Sequence, residues 1–427
     1  MINIVDSIMG TGKTSWAIRY MNQETEKRFI YVTPYKTEIE RIILACPERH
    51  FVQPEELPTK GAHFIELLKT GENIATTHQL FKDIQLTPKI ESLLREFGYI
   101  LILDEVLDVV ENENVSAKDM KMLLGEGLIS ADEETGLVSW TDDGYKGRFE
   151  PLMRRIKHGN IYYFENMLLW QFPVNLLAAF EEIYVLTFMF EGSPMEQYLS
   201  IYKFPVLYFH IQKEGFLLKE GLQDLDADKL RIAGLIDLCT DERMNELGLQ
   251  KPGLRRDDAN EHVSSPYSKT WWEKARKKQI KYPSGKKTTL AMRAVRHAYN
   301  YLYNYCGGTA QTVMWSTYID ETAQRQKKKH LLERDFGSGF CPCNSRATNQ
   351  YRERHLLAYL INVYCNPVIQ QWFRSHGGRI DEDRYALSQL LQWLWRSQLR
   401  DGGSVSLYLP SERMQKLLLG WLRNSDP

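Results

Sequence analysis

The stretch IVDSIMGTGKTSWAI, residues 4–18, decides the fold of the first part of the chain. It opens with the apolar run of a buried strand, passes through a glycine-rich loop and ends in the apolar spacing of a helix. A strand, a loop of the form G-x-x-x-x-G-K-[ST] and a helix together make a phosphate-binding loop. Ser7 stands at the first glycine position, whereas Gly12, Lys13 and Thr14 are in register. Because position 7 only has to be small, the pattern still predicts a phosphate site.

The residues of this loop have distinct roles in binding a triphosphate. Glycines permit the backbone conformations in which N–H groups point inward, and Lys13 places a positive charge against the β- and γ-phosphates. The hydroxyl of Thr14 would bind Mg²⁺. The predicted nucleotide-binding residues are Ser7, Gly10, Thr11, Gly12, Lys13 and Thr14. The predicted cofactors are ATP and Mg²⁺.

Apolar runs alternate with helical segments along the chain. RFIYVTPY, ENIATTH and YILILDEV each end in a polar turn, which predicts a parallel sheet covered by helices, with ligands at the carboxyl ends of the strands. A charged, helix-prone stretch follows, and then a second alternating region. We therefore predict an α/β protein with a first lobe at residues 1–205, a helical and partly basic linker or insertion at residues 206–305, and a second lobe at residues 306–427.

The run LILDEV places Asp104 and Glu105 directly after an apolar strand. Adjacent acids at a strand end can be ordinary turn residues, but downstream of a phosphate loop they form a Walker B arrangement. In such a pair Asp104 would hold Mg²⁺ through its water shell, and Glu105 would polarise the attacking water. The metal ligands predicted from the sequence are therefore Thr14 and Asp104.

Composition limits the partners and the compartment. The 427 residues carry a net charge of −1, so nucleic acid would have to bind through a local basic patch. The six cysteines form no C-x-x-C pair, which predicts reduced thiols in a cytoplasmic protein, although the pair in CPCN could in principle ligate a metal. No signal peptide and no membrane span are recognisable in the sequence, so we expect no membrane partner.

The glycine-rich loop and the Asp-Glu pair resemble motifs I and II of superfamily 2 (DEAD/DEAH-like) helicases, in which a non-glycine first loop residue is usual. In the same order, VTPYKTEIERI resembles motif Ia, ATTHQLF, with Thr77 and His78, resembles motif Ib, and VLTF stands at motif III. The order of segments is similar to that of short helicase-like proteins of bacteriophages. The resemblance implies two tandem RecA-like lobes and an ATP-dependent helicase or translocase that acts on DNA rather than RNA. It also implies phage replication or recombination proteins as partners, in the host cytoplasm.

The segment QWLWRSQLRDG resembles motif VI, with Gln392 and Arg396 in register, Trp395 in place of a glycine and Arg400 one place late. In the family these arginines reach the γ-phosphate across the lobe interface, where a fixed positive charge stabilises the transition state. The alternative is a solvated helix face, since the two arginines are one turn apart. The catalytic residues implied are Lys13, Asp104, Glu105, Gln392, Arg396 and Arg400.

Residues 267–296 interleave cations with aromatic residues. Cations neutralise phosphates and rings stack on unpaired bases, which favours a single-strand surface, although a solvated helix is the simpler interpretation. The predicted nucleic-acid contacts are Lys269, Trp272, Lys274, Arg276, Lys277, Lys278, Lys281, Lys286 and Lys287, together with Thr77 and His78.

Two other functions share the Walker pair. A viral genome-packaging ATPase would add a nuclease domain with clustered acids, and a nucleotide-gated binding module would bind ATP without stimulated turnover.

In superfamily 2 the glutamine and aromatic residue that select adenine lie upstream of motif I, and only six residues precede Ser7 here. Weak base selectivity is therefore expected.

Overall fold

The computed structural model describes residues 1–84, 87–248, 265–281, 285, 287–318, 339–343 and 350–424. Its chain divides into two compact units by internal contacts. The first unit is formed by Met1–Gln223 and Cys365–Asp381, and the second by Asp224–Tyr364 and Glu382–Pro427.

The first unit is built on a seven-stranded sheet with the order β12-β11-β1-β10-β4-β2-β3. Its strands are parallel except for the edge strand β12, which runs antiparallel to β11. The strands of this sheet are β1 (Ile2–Asp6), β2 (Arg28–Thr33), β3 (Ile74–Thr77), β4 (Tyr99–Asp104), β10 (Glu182–Thr187), β11 (Val206–Gln212) and β12 (Leu217–Glu220).

Helices connect and cover these strands. They are α1 (Lys13–Gln23), α2 (Lys36–Ala45), α3 (Lys60–Thr70), α4 (His78–Asp83), α5 (Pro88–Glu96), α8 (Val174–Ala178), α9 (Pro194–Ile201) and, from the later part of the chain, α14 (Pro367–Ser375). The central strands β1, β2 and β4 are buried almost throughout, as expected for strands that are covered on both faces. Burial on both faces is also why these strands stand out in the sequence as continuous apolar runs.

An excursion of the chain, residues 105–181, separates β4 from β10, although these two strands pair side by side in the sheet. It contains a three-stranded antiparallel sheet in the order β5-β9-β8 and a separate hairpin. Its elements are β5 (Val110–Asn112), α6 (Ala117–Gly125), β6 (Ile129–Ala131), β7 (Val138–Trp140), α7 (Glu150–Lys157), β8 (Ile161–Phe164) and β9 (Met167–Gln171), followed by α8. This subdomain was not among the features predicted from the sequence.

The second unit is built on a four-stranded parallel sheet with the order β13-β18-β17-β16. A hairpin, β14–β15, is separate from this sheet. The strands are β13 (Ile236–Leu238), β14 (Gln279–Lys281), β15 (Lys287–Thr289), β16 (Val313–Ser316), β17 (Leu356–Tyr359) and β18 (Val405–Tyr408). The helices are α10 (Asp226–Ala233), α11 (Glu242–Asn245), α12 (Lys269–Lys277), α13 (Leu290–Tyr299), α15 (Glu382–Leu394) and α16 (Glu412–Leu422), and a π-helical turn, Asn300–Tyr305, extends α13.

The prediction of an α/β protein with parallel sheets is confirmed. The predicted segment 206–305 is not a separate body, because the boundary between the units falls after Gln223. Strands β11 and β12 belong to the first sheet, whereas α12 and α13 pack into the apolar core of the second unit. Strand β11 is mostly half-exposed, unlike the central strands of the same sheet, which are buried almost throughout.

Candidate nucleotide site and nucleic-acid surface

The glycine-rich loop leaves the carboxyl end of β1 and enters α1, as the sequence predicts. Gly10 and Gly12 have φ values of 85° and 95°, in the left-handed region where glycine carries no penalty. Ser7 is buried, and its Oγ accepts a hydrogen bond from the backbone N–H of Ile211 at 2.8 Å. The serine at the first loop position therefore joins the loop to the neighbouring strand β11, a contact that glycine could not make.

Two side chains of the loop bind its own backbone. Lys13 donates from Nζ to the carbonyl oxygens of Ser7, at 2.5 Å, and Ile8, at 3.4 Å. Buried Thr11 donates from Oγ1 to the carbonyl oxygen of Ile8 at 2.9 Å. Thr14 is half-buried in the first turn of α1. The ammonium group thus lies at the loop itself, where the sequence pattern requires a cation.

Asp104 ends β4 at the same edge of the sheet as the loop. The pKa of its carboxyl is raised from 3.8 to about 7, chiefly by burial and also by the charge of Glu105, while the charge of Lys13 opposes the rise. Thr33 donates from Oγ1 to Oδ2 of Asp104 at a long 3.4 Å. A carboxyl with a pKa near neutrality is one that a nearby cation can readily convert to carboxylate.

Glu105 has an unusual backbone conformation for its residue type. Its φ is 80°, in the region that side chains other than those of glycine, asparagine and aspartate seldom adopt. Its N–H donates to the carbonyl oxygen of Leu186 at 2.9 Å, which holds the turn against β10. Residues held in such conformations cluster at functional sites, where the surrounding structure compensates for the strain.

His78 was predicted to contact nucleic acid together with Thr77. In the structure it contacts the backbone of Asp104 instead. His78 is 7% exposed, and its Nε2–H donates to the carbonyl oxygen of Asp104 at 3.1 Å. Thr77 caps α4 by accepting the N–H of Leu80 at 3.2 Å. Burial and the hydrogen bond to Asp104 correct the assignment for His78, which supports the end of β4.

The donor set fits Mg²⁺ in a nucleotide complex. Magnesium usually takes one or two carboxylates together with phosphate oxygens and water, rather than a cage made only of protein ligands. Asp104 supplies one carboxylate, and Thr14 supplies one hydroxyl at the start of α1. Within the described part of the chain, no group of three or more His, Cys, Asp and Glu residues is arranged to hold a metal ion. All six cysteines are free thiols, including the pair in CPCN.

The motif VI candidates lie in the second unit. Gln392 is half-buried on α15, and Arg400 is exposed in a 3₁₀ turn, Gln398–Asp401. Arg396 is only 7% exposed, and its Nη1 lies 3.4 Å from the carbonyl oxygen of Pro342 and 3.8 Å from Sγ of Cys341. The structure therefore separates the two arginines that the sequence pattern presents as a pair: one is packed inside its unit and the other faces outward.

The prediction that Trp272 contacts nucleic acid is wrong. Trp272 is 1% exposed, and its Nε1–H donates to the carbonyl oxygen of Leu360 at 2.9 Å. Arg276 is half-buried and donates to the carbonyl oxygen of Tyr318 at 2.6 Å. Trp272 and Ala275 form the buried stripe of α12, so this tryptophan is a core residue and cannot stack on a base.

The remaining predicted cations face outward. Lys281 and Lys287 stand directly opposite each other in the β14–β15 hairpin, and both are exposed. Like charges in this arrangement repel each other, so the pair is unfavourable unless an anion screens it. The predicted contacts that are exposed are Lys269, Lys274, Lys277, Lys278, Lys281 and Lys287. Lys286 lies outside the described residues.

Asp6 was not singled out in the sequence, although it ends β1 immediately before the loop. Its carboxylate accepts hydrogen bonds from the backbone N–H groups of Met189 and Phe190. The signal that could have identified it is an acidic residue at the buried end of a strand that enters a phosphate loop. Among the described residues, no helix has the length and apolar character needed to span a bilayer.

Two family descriptions match the chain. The YonV C-terminal Rossmann-like domain matches residues 230–422, and the YonV middle domain matches residues 110–170, inside the excursion between β4 and β10. A relative, the SPbeta prophage-derived uncharacterized protein YonV of Bacillus subtilis (strain 168), is 32% identical over 440 residues, which cover 99% of this chain and 99% of that protein.

Solved structures align over the length of the chain at low similarity. Apo XPD aligns with 13% identity and a TM-score of 0.47, covering 99% of this chain and 95% of XPD. Xpd4 of S. tokodaii aligns with 12% identity and a TM-score of 0.46, covering 98% and 94%. The DUF1998 helicase MrfA bound to DNA aligns with 12% identity and a TM-score of 0.34, covering 100% of this chain and 49% of MrfA. Likeness at this level carries no argument about activity.

Proposed function

The chain belongs to the YonV family, and from that premise and the geometry of the glycine-rich loop we propose that it is an ATP-dependent nucleic-acid helicase or translocase. The proposal takes ATP as the nucleotide, Mg²⁺ as the metal and DNA as the preferred nucleic acid. It follows the superfamily 2 resemblance of the motifs, and the chemistry below supports it residue by residue.

The main support for the proposal is that three neighbouring strands of the first sheet, β1, β10 and β4, end at the same level. In the sheet, Asp6 lies opposite Thr187 and Asp104 lies opposite Leu186, so β1, β10 and β4 end level with one another. The loop that holds Lys13 and the pair formed by Asp104 and Glu105 therefore share one edge. Ligands of parallel α/β sheets bind at that edge.

Each group has a part in phosphoryl transfer to water. The charge of Lys13 would lie against the β- and γ-phosphates, and the inward N–H groups of the loop would hold the phosphate oxygens. Thr14 and Asp104 would hold Mg²⁺, which neutralises charge on the phosphates when it is bound. Glu105 would orient the attacking water and accept its proton. The fixed backbone at Glu105 favours this role, because a pre-positioned base needs no reorganisation during the reaction.

Arginines of the second unit remain proposed participants in the reaction. By resemblance, Gln392, Arg396 and Arg400 would act on the charge that develops in the transition state. Burial distinguishes the two arginines, since Arg400 is exposed and Arg396 is enclosed by its own unit. We therefore assign the catalytic charge to Arg400 and a structural role to Arg396.

The nucleic-acid surface is proposed to centre on the hairpin pair Lys281 and Lys287. Two opposed and exposed lysines destabilise a hairpin, and phosphate groups would relieve the repulsion. The neighbouring cations of α12 would extend the surface along the strand. A function in phage replication or recombination accords with the prophage origin of the relative from Bacillus subtilis.

The test is ATP hydrolysis measured without nucleic acid and then with single-stranded DNA, duplex DNA, forked DNA and RNA. We expect stimulation by DNA above stimulation by RNA, and no turnover by the Lys13→Ala variant under any condition. GTP and CTP should support activity within about tenfold of ATP, because a difference below ~1.4 kcal/mol in binding is expected without a dedicated base pocket. ATP binding without stimulated turnover would contradict the proposal and indicate a nucleotide-gated binding module.

A further inference from the structure

A segment from the end of the first sheet reaches back to the glycine-rich loop. After β11, the chain makes a 3₁₀ turn, Glu214–Phe216, and returns as β12. Arg19 of α1 donates a hydrogen bond to the carbonyl oxygen of Gly215 in this turn. Gln223 follows β12, and its Oε1 accepts the N–H of Ile8, a residue of the loop, at 3.0 Å. We call residues 213–223 the strap.

The ring of Phe216 lies directly on the backbone of Gly12. A Cβ atom built at Gly12 would stand 2.3 Å from Cε1 and 2.4 Å from Cδ1 of this ring. Side-chain atoms of Phe216 therefore fill the space that a residue larger than glycine would need at this position. Phe216 is nevertheless 40% exposed, so the other side of the ring faces solvent.

The glycine immediately before the lysine of a phosphate loop is needed for a second reason besides its positive φ. Without a side chain, it lets the phosphate chain approach the backbone N–H groups closely. In a loop of this kind the space beside this glycine is left for the ligand, and at Gly12 the ring of Phe216 occupies it. A phenyl ring in contact with that backbone and a phosphate group cannot both occupy it.

We propose that Phe216 is a plug of the nucleotide site, which competes with the phosphates for the space beside Gly12 and must swing out before a nucleotide binds. This inference rests on the proposed nucleotide-binding function and adds regulation of the same site. The strap controls access of the nucleotide to the phosphate loop, because in its closed position the ring of Phe216 occupies the space beside Gly12.

The backbone of the strap is suited to such a movement. Gly215 and Phe216 have φ values of 73° and 47°, and a left-handed conformation is unfavourable for phenylalanine. Release of the ring would let Phe216 return to an ordinary conformation, and this relief offsets part of the cost of exposing the ring to water. The bonds made by Arg19 and Gln223 hold the closed position from both ends of the strap.

The experiment compares ADP binding by the wild type, by Phe216→Ala and by Leu217→Ala as the matched control. Leu217 is the next residue of the strap and is 47% exposed, so its truncation removes similar apolar surface, while the atoms nearest to a Cβ at Gly12 all belong to Phe216. When a site must open before it binds, the apparent Kd equals the Kd of the open site divided by the fraction of molecules that are open. We expect Phe216→Ala to lower the Kd for ADP by about tenfold or more, with Leu217→Ala close to wild type.

Hydrogen exchange of the wild type supplies an independent measurement. ADP should increase exchange at the amides of residues 214–217, because the strap leaves the loop when the ligand enters. Unchanged exchange there, or a Kd that is unaltered or raised in Phe216→Ala, would overturn the plug; a raised Kd would instead mean that the ring supports the bound nucleotide. If neither protein binds ADP, the proposed nucleotide function itself fails, a result distinct from normal wild-type binding without an effect of Phe216→Ala.

Discussion

The carboxylate of Asp6 accepts a hydrogen bond from the backbone N–H of Met189 at 2.9 Å, although the two residues are 183 positions apart. The N–H of Phe190 donates to the same carboxylate at 2.9 Å. Burial raises the pKa of Asp6, whereas the two N–H donors and the charge of Lys13 lower it. Asp6 thus connects the strand that enters the phosphate loop to the turn that follows the adjacent strand, where motif III is expected.

Asp6→Ala should lower the free energy of unfolding by about 1–3 kcal/mol, because two partly buried N–H groups lose their acceptor. Asp6→Asn keeps one acceptor oxygen and should fall between this variant and the wild type. Urea unfolding measures the stability, and hydrogen exchange at Met189 and Phe190 reports the turn directly. Unchanged protection of those two amides in Asp6→Ala would mean that the carboxylate does not hold the turn.

The pKa of Asp104 predicts how stability depends on pH in the absence of Mg²⁺. Since the pKa is raised from 3.8 to about 7 in the folded protein, folding is favoured by the protonated form. This contribution is complete below about 3.8 and is lost as the pH rises through about 7. The whole effect is on the order of 4 kcal/mol at most.

Asp104→Asn, which is neutral at every pH, should therefore gain stability relative to the wild type as the pH rises. The difference in free energy of unfolding should grow between pH 4 and pH 7, with the total rise on the order of a few kcal/mol, and then level off. Urea unfolding at a series of pH values without Mg²⁺ provides the measurement. A difference that is constant with pH would contradict the raised pKa.

Glu105→Gln should separate binding from hydrolysis. The amide keeps the size of the side chain but cannot accept a proton, so we expect the rate to fall by about 10²–10⁴ with the nucleotide Kd within about threefold of wild type. Lys13→Ala should instead lose hydrolysis together with binding energy. Asp108→Asn, a nearby exposed carboxylate, serves as the control and should leave the rate unchanged. A Glu105→Gln protein that no longer binds nucleotide would refute the division of roles between Glu105 and Asp104.

The sequence predicted the parts of the fold that local pattern determines. Strands β1, β2 and β4 are buried on both faces, so their apolar runs are continuous, and the glycines of the phosphate loop are required by their φ values. The pairing of β4 with β10 across residues 105–181 could not be predicted, because no local pattern records which distant strands become neighbours.

The burial of individual side chains is the second property that could not be predicted from the sequence. A basic helix that interleaves lysines with tryptophans has the same composition whether its rings face solvent or the core, and Trp272 is buried. The contact between Phe216 and Gly12 joins residues that are distant in sequence, so it emerges only from the structure. No motif of the phosphate loop specifies which residue of a later turn will lie against it.

Lys281→Ala and Lys287→Ala should weaken binding of single-stranded DNA and reduce its salt dependence. Removal of one phosphate contact should lower the slope of log K against log salt by about 0.7. Removal of either lysine also relieves the cross-strand repulsion, so stability should be unchanged or slightly raised. Lys416→Ala, which removes an exposed lysine paired with Glu412, is the control. Equal binding by all three variants would exclude the hairpin from the nucleic-acid surface.

Arg396 and Arg400 should respond differently to the same substitution, because only one of them is exposed. Arg396→Ala removes a buried guanidinium whose Nη1 faces Pro342 and Cys341, so we expect a loss of about 1–3 kcal/mol in free energy of unfolding. Arg400→Ala should leave stability nearly unchanged but lower DNA-stimulated kcat by at least about 10²-fold, with a normal nucleotide Kd, since such an arginine acts on charge in the transition state.

The measurements that separate these roles are urea unfolding, nucleotide Kd and stimulated kcat for each variant. Arg400→Lys should not restore the rate, because a point charge does not reproduce the planar guanidinium, and Arg423→Ala is the control for loss of an exposed arginine in the same unit. An Arg396→Ala protein that is as stable as wild type but has lost stimulated hydrolysis would reverse the assignment. Arg396, which is in register with motif VI, would then carry the catalytic charge, and its burial in the second unit would have to be relieved during turnover.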